Sequence, residues 1–85
     1  MYSVEYTKQA AADLKGMPRN VAATVVAKVE ALARDPYAQN SNAKKLQGRD
    51  GYRLRVGDWR VLYMIEKGRL VVLVVAVKPR GGAYQ

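Results

Sequence analysis

The chain has no cysteine and no histidine, and only seven acidic residues in 85. Without cysteine there are no disulfides and no thiolate metal sites, which suits a reducing cytoplasm. Without histidine the commonest general base and the commonest metal ligand are both missing. Acid–base chemistry is left to carboxylates, lysine, tyrosine or the substrate itself. The seven acids form neither a paired-carboxylate site nor a metal-ligand spacing, so no metal and no cofactor are expected. Gly48 and Gly51 do not make a phosphate-loop motif. The opening residues, MYSVEYTKQ, lack the apolar core of a secretory signal. The longest apolar run, Leu70 to Val77, is too short to span a bilayer as a helix. There is no internal repeat and no low-complexity segment.

What is abundant is positive charge. The formal net charge is +8, and it is unevenly placed. Residues 1–43 carry five Lys/Arg against four acids; residues 44–85 carry ten against three (Asp50, Asp58 and Glu66). A basic half on a small chain favours a polyanionic partner such as nucleic acid. The length predicts one domain over residues 1–85, small enough to be stable by a narrow margin.

Hydrophobic spacing predicts the elements. Tyr2, Val4 and Tyr6 alternate with polar neighbours, as in a half-buried strand. Thr7 is an N-cap for a short helix, KQAAADLK, that Gly16 can close. Pro18 suits the first turn of a second helix. There Val21, Val25, Val29 and Leu32 form one apolar stripe, and Asp35-Pro36 ends it. Tyr37 to Asn42 reads as a loop leading into a basic approach, AKKLQGRDG. Three strands follow: Tyr52–Val56, Trp59–Ile65 and Leu70–Val77, the last apolar on both faces and so central. Gly57-Asp58 and Lys67-Gly68 are tight turns, Pro79 stops the ladder, and Gly81-Gly82 loosen the tail. The order β-α-α-β-β-β indicates an α+β domain, with a helical hairpin on one face of a mainly antiparallel sheet.

A two-residue turn at Gly57-Asp58 sets Arg55 opposite Arg60, with Arg53 on the same face. Opposed like charges destabilise a sheet by about 0.2–1 kcal/mol. One reading is that the long side chains splay into water at small cost. The other is a cradle for phosphate, which guanidinium groups bind bidentately. Lys44, Lys45, Arg49 and Lys78 add a basic surround that would contact a nucleic-acid backbone. Tyr52, Trp59 and Tyr63 fall on the opposite face, as core.

The segment KLQG…GYRLRVGDWRVLYMIEKGRLVVLVVAVKPRGGAY resembles the RelE/ParE superfamily of bacterial toxins, in particular its RelE-like branch, over nearly the whole chain. The resemblance implies the toxin of a type II toxin–antitoxin system. It implies a ribosome-dependent mRNA endonuclease, in which the ribose 2′-hydroxyl attacks the adjacent phosphate of an A-site codon without a metal. Its partners would be a cognate antitoxin and the ribosome with bound mRNA, in the cytoplasm. Matched position by position, the catalytic set would be Arg53, Arg55, Arg60, Arg80 and Tyr84. Arg60 and Arg80 would hold the scissile phosphate, Arg53 and Arg55 would position the backbone, and Tyr84 would stack on a base or move a proton. RelE carries lysines where Arg53 and Arg55 stand, and many relatives have Gly-His where this chain has Lys78-Pro79. Arginine keeps its proton, so the mapping leaves Tyr84 as its one proton carrier. Alternative readings are a ParE-like inhibitor of DNA gyrase and a catalytically weak, antitoxin-binding relative.

Overall fold

The computed structural model describes residues 2–79. Its elements are β1 (Ser3–Tyr6), α1 (Lys8–Lys15), α2 (Arg19–Ala33), β2 (Ala43–Lys45), β3 (Tyr52–Val56), β4 (Trp59–Glu66) and β5 (Val71–Pro79). The strands form one five-stranded sheet in the order β1-β5-β4-β3-β2. All neighbours are antiparallel except β1, which runs parallel to β5. The expected α+β architecture is present, with one strand more than expected. Ala43–Lys45, which read as a basic approach, pairs with β3 as an edge strand. Three residues, two of them lysine, carry no alternation signal, and edge lysines are how sheets guard an open edge.

The helices start and stop for local reasons. The Thr7 hydroxyl accepts from Ala10 N–H at 3.1 Å, satisfying an otherwise orphaned donor of α1. Gly16 closes α1 in a right-handed conformation, its N–H shared between the Ala12 and Asp13 carbonyls. Pro18 stands at the N-cap of α2, one residue before the position expected for it. The helix ends at Ala33, two residues before Asp35-Pro36. The apolar stripe holds: Val25, Val29, Leu32 and Ala33 are buried, and Val21 is half-buried. They pack on Leu54, Val56, Val61, Tyr63, Val72, Val74 and Val77, which define the helix-facing side of the sheet. A fully buried valine of this kind contributes about 1.5–3 kcal/mol. The middle strand is β4; β5 lies beside it, covered by β1 for only part of its length.

One irregularity positions the site. Between Leu62 and Tyr63 the β4–β5 register shifts, so Tyr63 pairs with Val74 and Leu62 with Ala76. Val75 is the extra residue, a β-bulge. With strict alternation from Val72 and Val74, Lys78 would face the helices. The bulge puts Val77 in the core and Lys78 opposite Arg60. Two side chains of the α1 region secure this. The Thr7 hydroxyl donates to the Val75 carbonyl at 2.7 Å. The Asp13 carboxylate accepts from Val77 N–H at 2.8 Å, where β5 runs past β1.

At the other end, Arg69 bonds Glu5 of β1 at 2.9 Å and Glu66 of β4, across β5. Leu70, expected to begin the strand, belongs to the preceding turn with φ 54, an unusual value for a leucine.

Candidate phosphate-binding face

The sheet face turned away from the helices carries the arginines. The β3–β4 turn is tight because Gly57 takes φ 57, while Asp58 stays out of the positive-φ region. A glycine with positive φ at the first central position matches a type II′ hairpin turn. Its register pairs Arg55 with Arg60 and Arg53 with Leu62, as expected from the spacing.

Neighbouring strands extend these pairs into two rows. The first runs Arg55, Arg60, Lys78 across β3, β4 and β5. Asn42 flanks it, its carbonyl accepting the Arg55 N–H at 2.8 Å. The second runs Lys44, Arg53, Leu62, Ala76 from β2 to β5. Arg53 and Arg60 are half-buried, whereas Lys44 and Arg55 are exposed. The rows enclose a depression of about 150 Å³ lined by Ser41, Asn42, Lys44, Arg53, Arg55 and Arg60. Four of these six are cationic and none is acidic, so the depression suits an anion of phosphate size.

Beside it lies a larger groove of about 570 Å³, lined by Lys44, Lys45, Leu46, Gln47, Arg49, Arg53 and Leu62. Lys44 and Arg53 border both cavities. The loop bearing Arg49 returns through a Leu46 N–H to Gly51 carbonyl bond of 2.9 Å. At Gly51, φ is 114, and a Cβ would stand 3.2 Å from the Tyr63 carbonyl oxygen, so the position suits glycine.

The remaining expected residues are distributed as follows. Lys45 pairs with Tyr52 and so starts on the helix-facing side at the sheet edge, although it borders the groove. Lys78 shares Arg60's row, yet its ammonium donates to Asp13 at 3.1 Å. Arg80 and Tyr84 lie outside the described residues. Tyr52 and Tyr63 stack with centroids 5.4 Å apart on the core side, where Trp59 also packs. Among the described residues no group of three or more acidic side chains could hold a metal ion. No helix among them is long and apolar enough to cross a membrane.

Sequence reasoning missed Asp13 and Asn42. Burial alone would raise the Asp13 pKa. The Val77 N–H, the Lys78 ammonium and the Gln9 amide outweigh that and hold it below its ordinary value. An aspartate inside a short amphipathic helix carries no sign of this, because its partners are 64 and 65 residues away.

Known proteins share this fold. A model described as the ParE toxin of type II toxin–antitoxin system, parDE, matches residues 4–84. A sequence relative from Methanocaldococcus jannaschii that carries the toxin name RelE1 is 29% identical over 86 residues. That match covers 99% of this chain and 96% of the relative. In the toxin–antitoxin complex RelBE2 from Mycobacterium tuberculosis, the matching chain is 30% identical with TM-score 0.80, covering 93% of this chain and 98% of that one. In the archaeal RelE–RelB complex from Pyrococcus horikoshii the values are 29% and 0.80, covering 95% and 97%. The chain therefore belongs to the ParE toxin family of type II toxin–antitoxin systems, within the RelE/ParE superfamily, as a RelE-like toxin.

Proposed function

We propose that this toxin is a ribosome-dependent mRNA endonuclease that cuts A-site codons by 2′-hydroxyl attack. The observation that carries the reading is the 150 Å³ depression in which register-opposed Arg55 and Arg60 meet Arg53 and Lys44. Four cationic side chains around one depression attract an anion, and a phosphodiester is an anion that fits. Arg60 holds the scissile phosphate and meets its growing charge, the largest contribution in chemistry of this type. Arg53 and Arg55 position the flanking backbone. Lys44, Lys45, Arg49 and Lys78 extend the nucleic-acid surface. Arg80 would add a second phosphate contact and Tyr84 a stacking or proton-transferring group. The whole chain would act as one toxin domain, in the cytoplasm where translation runs. The RelB partners in the M. tuberculosis and P. horikoshii complexes support a cognate antitoxin for this chain too. An acidic-leaning helical segment wrapping the basic face would neutralise it.

A second reading, a gyrase inhibitor acting through protein contacts, is favoured by the ParE name of the matching family. Mapping mRNA 5′ ends after induction separates the two. Codon-phased breaks are expected. An SOS response with intact mRNA would overturn the nuclease reading in favour of gyrase. Neither response, with antitoxin binding retained, would mark an inactive binding relative.

A further inference from the structure

The proposed cleavage needs a group that can take the proton of the attacking 2′-hydroxyl. Around the arginine depression that requirement is selective. Ser41 and Asn42 do not serve as bases, and a guanidinium does not give up its proton in a protein, which sets aside the three arginines. Among the described residues, Lys44 is the one remaining lining side chain. It reaches the site from β2, the strand that pairs Lys44 with Arg53.

Its position fits the geometry of the reaction as well as its chemistry. Lys44 borders both the small depression and the larger groove. A strand with its scissile phosphate in the depression and its preceding nucleotide in the groove would pass its connecting ribose over that border. The attacking 2′-hydroxyl belongs to that ribose. Of the other amines nearby, Lys78 donates to the Asp13 carboxylate at 3.1 Å, and Lys45, whose backbone pairs with Tyr52, borders the groove but not the depression.

We propose that Lys44 Nζ is the catalytic proton acceptor of this site. This rests on the nuclease reading above and deepens it. The neutral amine takes the 2′-hydroxyl proton while O2′ bonds to phosphorus and the bond from phosphorus to O5′ breaks. The electron pair leaves on O5′, which takes a proton from water. The lysine then returns its proton to solvent. Among the described residues, the other charged groups lining the two cavities are Arg53, Arg55 and Arg60 and, in the groove, Lys45 and Arg49, and no acid lines either one. That surround holds the phosphate beside the amine.

The test uses the full chain on ribosomes with a defined codon in the A site, in single-turnover conditions. Lys44→Arg keeps the charge and the length but cannot give up its proton. It should bind with an unchanged half-saturation concentration and cleave about 100-fold more slowly, the lower end for general acid–base catalysis. The parental rate should climb with pH through neutrality, and that climb should be lost in K44R. Because the chain has no cysteine, Lys44→Cys introduces a unique thiol. Aminoethylating it restores an amine at the same place and should restore cleavage. A K44R rate within about threefold of the parent, or one with the parental pH slope, overturns the assignment; so does failure of aminoethylation to restore cleavage. If the parental chain itself cuts no codons, the nuclease reading falls, and this assignment with it.

Discussion

Replacing Arg55 by glutamine should raise the stability of the domain while weakening its hold on phosphate. Arg55 and Arg60 are direct cross-strand partners, with Arg53 and Lys44 bordering the same depression. A like-charge pair in that relation costs about 0.2–1 kcal/mol. Glutamine keeps much of the side chain's length, and the Arg55 N–H bond to the Asn42 carbonyl belongs to the backbone, so both packing and ladder survive. The gain should therefore be electrostatic. Arg55 is exposed, so it should shrink as the screening length falls from ~10 Å at 0.1 M salt to ~3 Å at 1 M. Urea unfolding of parent and R55Q at about 20 mM and about 1 M salt should show a gain of about 0.2–1 kcal/mol at the lower value and less than half of it at the higher. If Arg55 donates to phosphate as proposed, the same variant loses a charged hydrogen bond worth about 1.5–3 kcal/mol, and cleavage on ribosomes should fall roughly 10- to 150-fold. An R55Q chain less stable than the parent, or a gain equal at both salt concentrations, would refute the idea that the opposed arginines cost stability and are kept for an anion.

Asp13→Asn should destabilise the fold by about 1.5–3 kcal/mol, because it removes a charged acceptor from Val77 N–H and Lys78. The Asp13 pKa is lowered in the fold, so its contribution is present above the unfolded value near 3.8 and lost as pH falls through the folded one. The gap between parent and D13N in urea midpoints should close below pH ~4, and a gap unchanged down to pH ~2 would contradict the bond. Burial, with a smaller contribution from Tyr52, pushes Tyr63 up to about 12. The fold favours its protonated form, so stability present below pH ~10 should decline by about 2–3 kcal/mol as pH rises through the folded value. Tyr63→Phe should flatten that decline, and parallel pH curves would count against it. Leu70→Asn relieves a leucine held at φ 54 and half exposed to solvent. It should raise the urea midpoint by the equivalent of about 1 kcal/mol, and a lower midpoint would show that the leucine's contacts outweigh its strain.

The opposition of Arg55 and Arg60 was legible because a two-residue turn with glycine leaves only one register, and a strand's period of two does the rest. The α2 stripe was legible for the same kind of reason, since Val25, Val29 and Leu32 keep helical spacing and are buried. Two features that complete the face were not. The strand Ala43–Lys45 is short, polar and on the sheet edge, so neither alternation nor apolar content marks it, yet it brings Lys44 beside Arg53. The bulge at Val75 falls in a run of apolar residues where every position suits a buried face. The sequence there has no parity to read, and only the bonds from Thr7 and Asp13 reveal which way Lys78 turns. Both omissions are tertiary. They depend on what lies alongside the strand rather than on the strand's own residues.

The chemistry of the cut ends tests the central claim most directly. A defined mRNA on translating ribosomes, incubated with the parental chain and with Arg60→Ala, should be cut within the A-site codon by the parent alone. The upstream fragment should end in a 2′,3′-cyclic phosphate and the downstream fragment should begin with a 5′-hydroxyl. An intact message with the parental chain, a 5′-phosphate at the break, or cleavage by R60A at the parental rate would contradict the account.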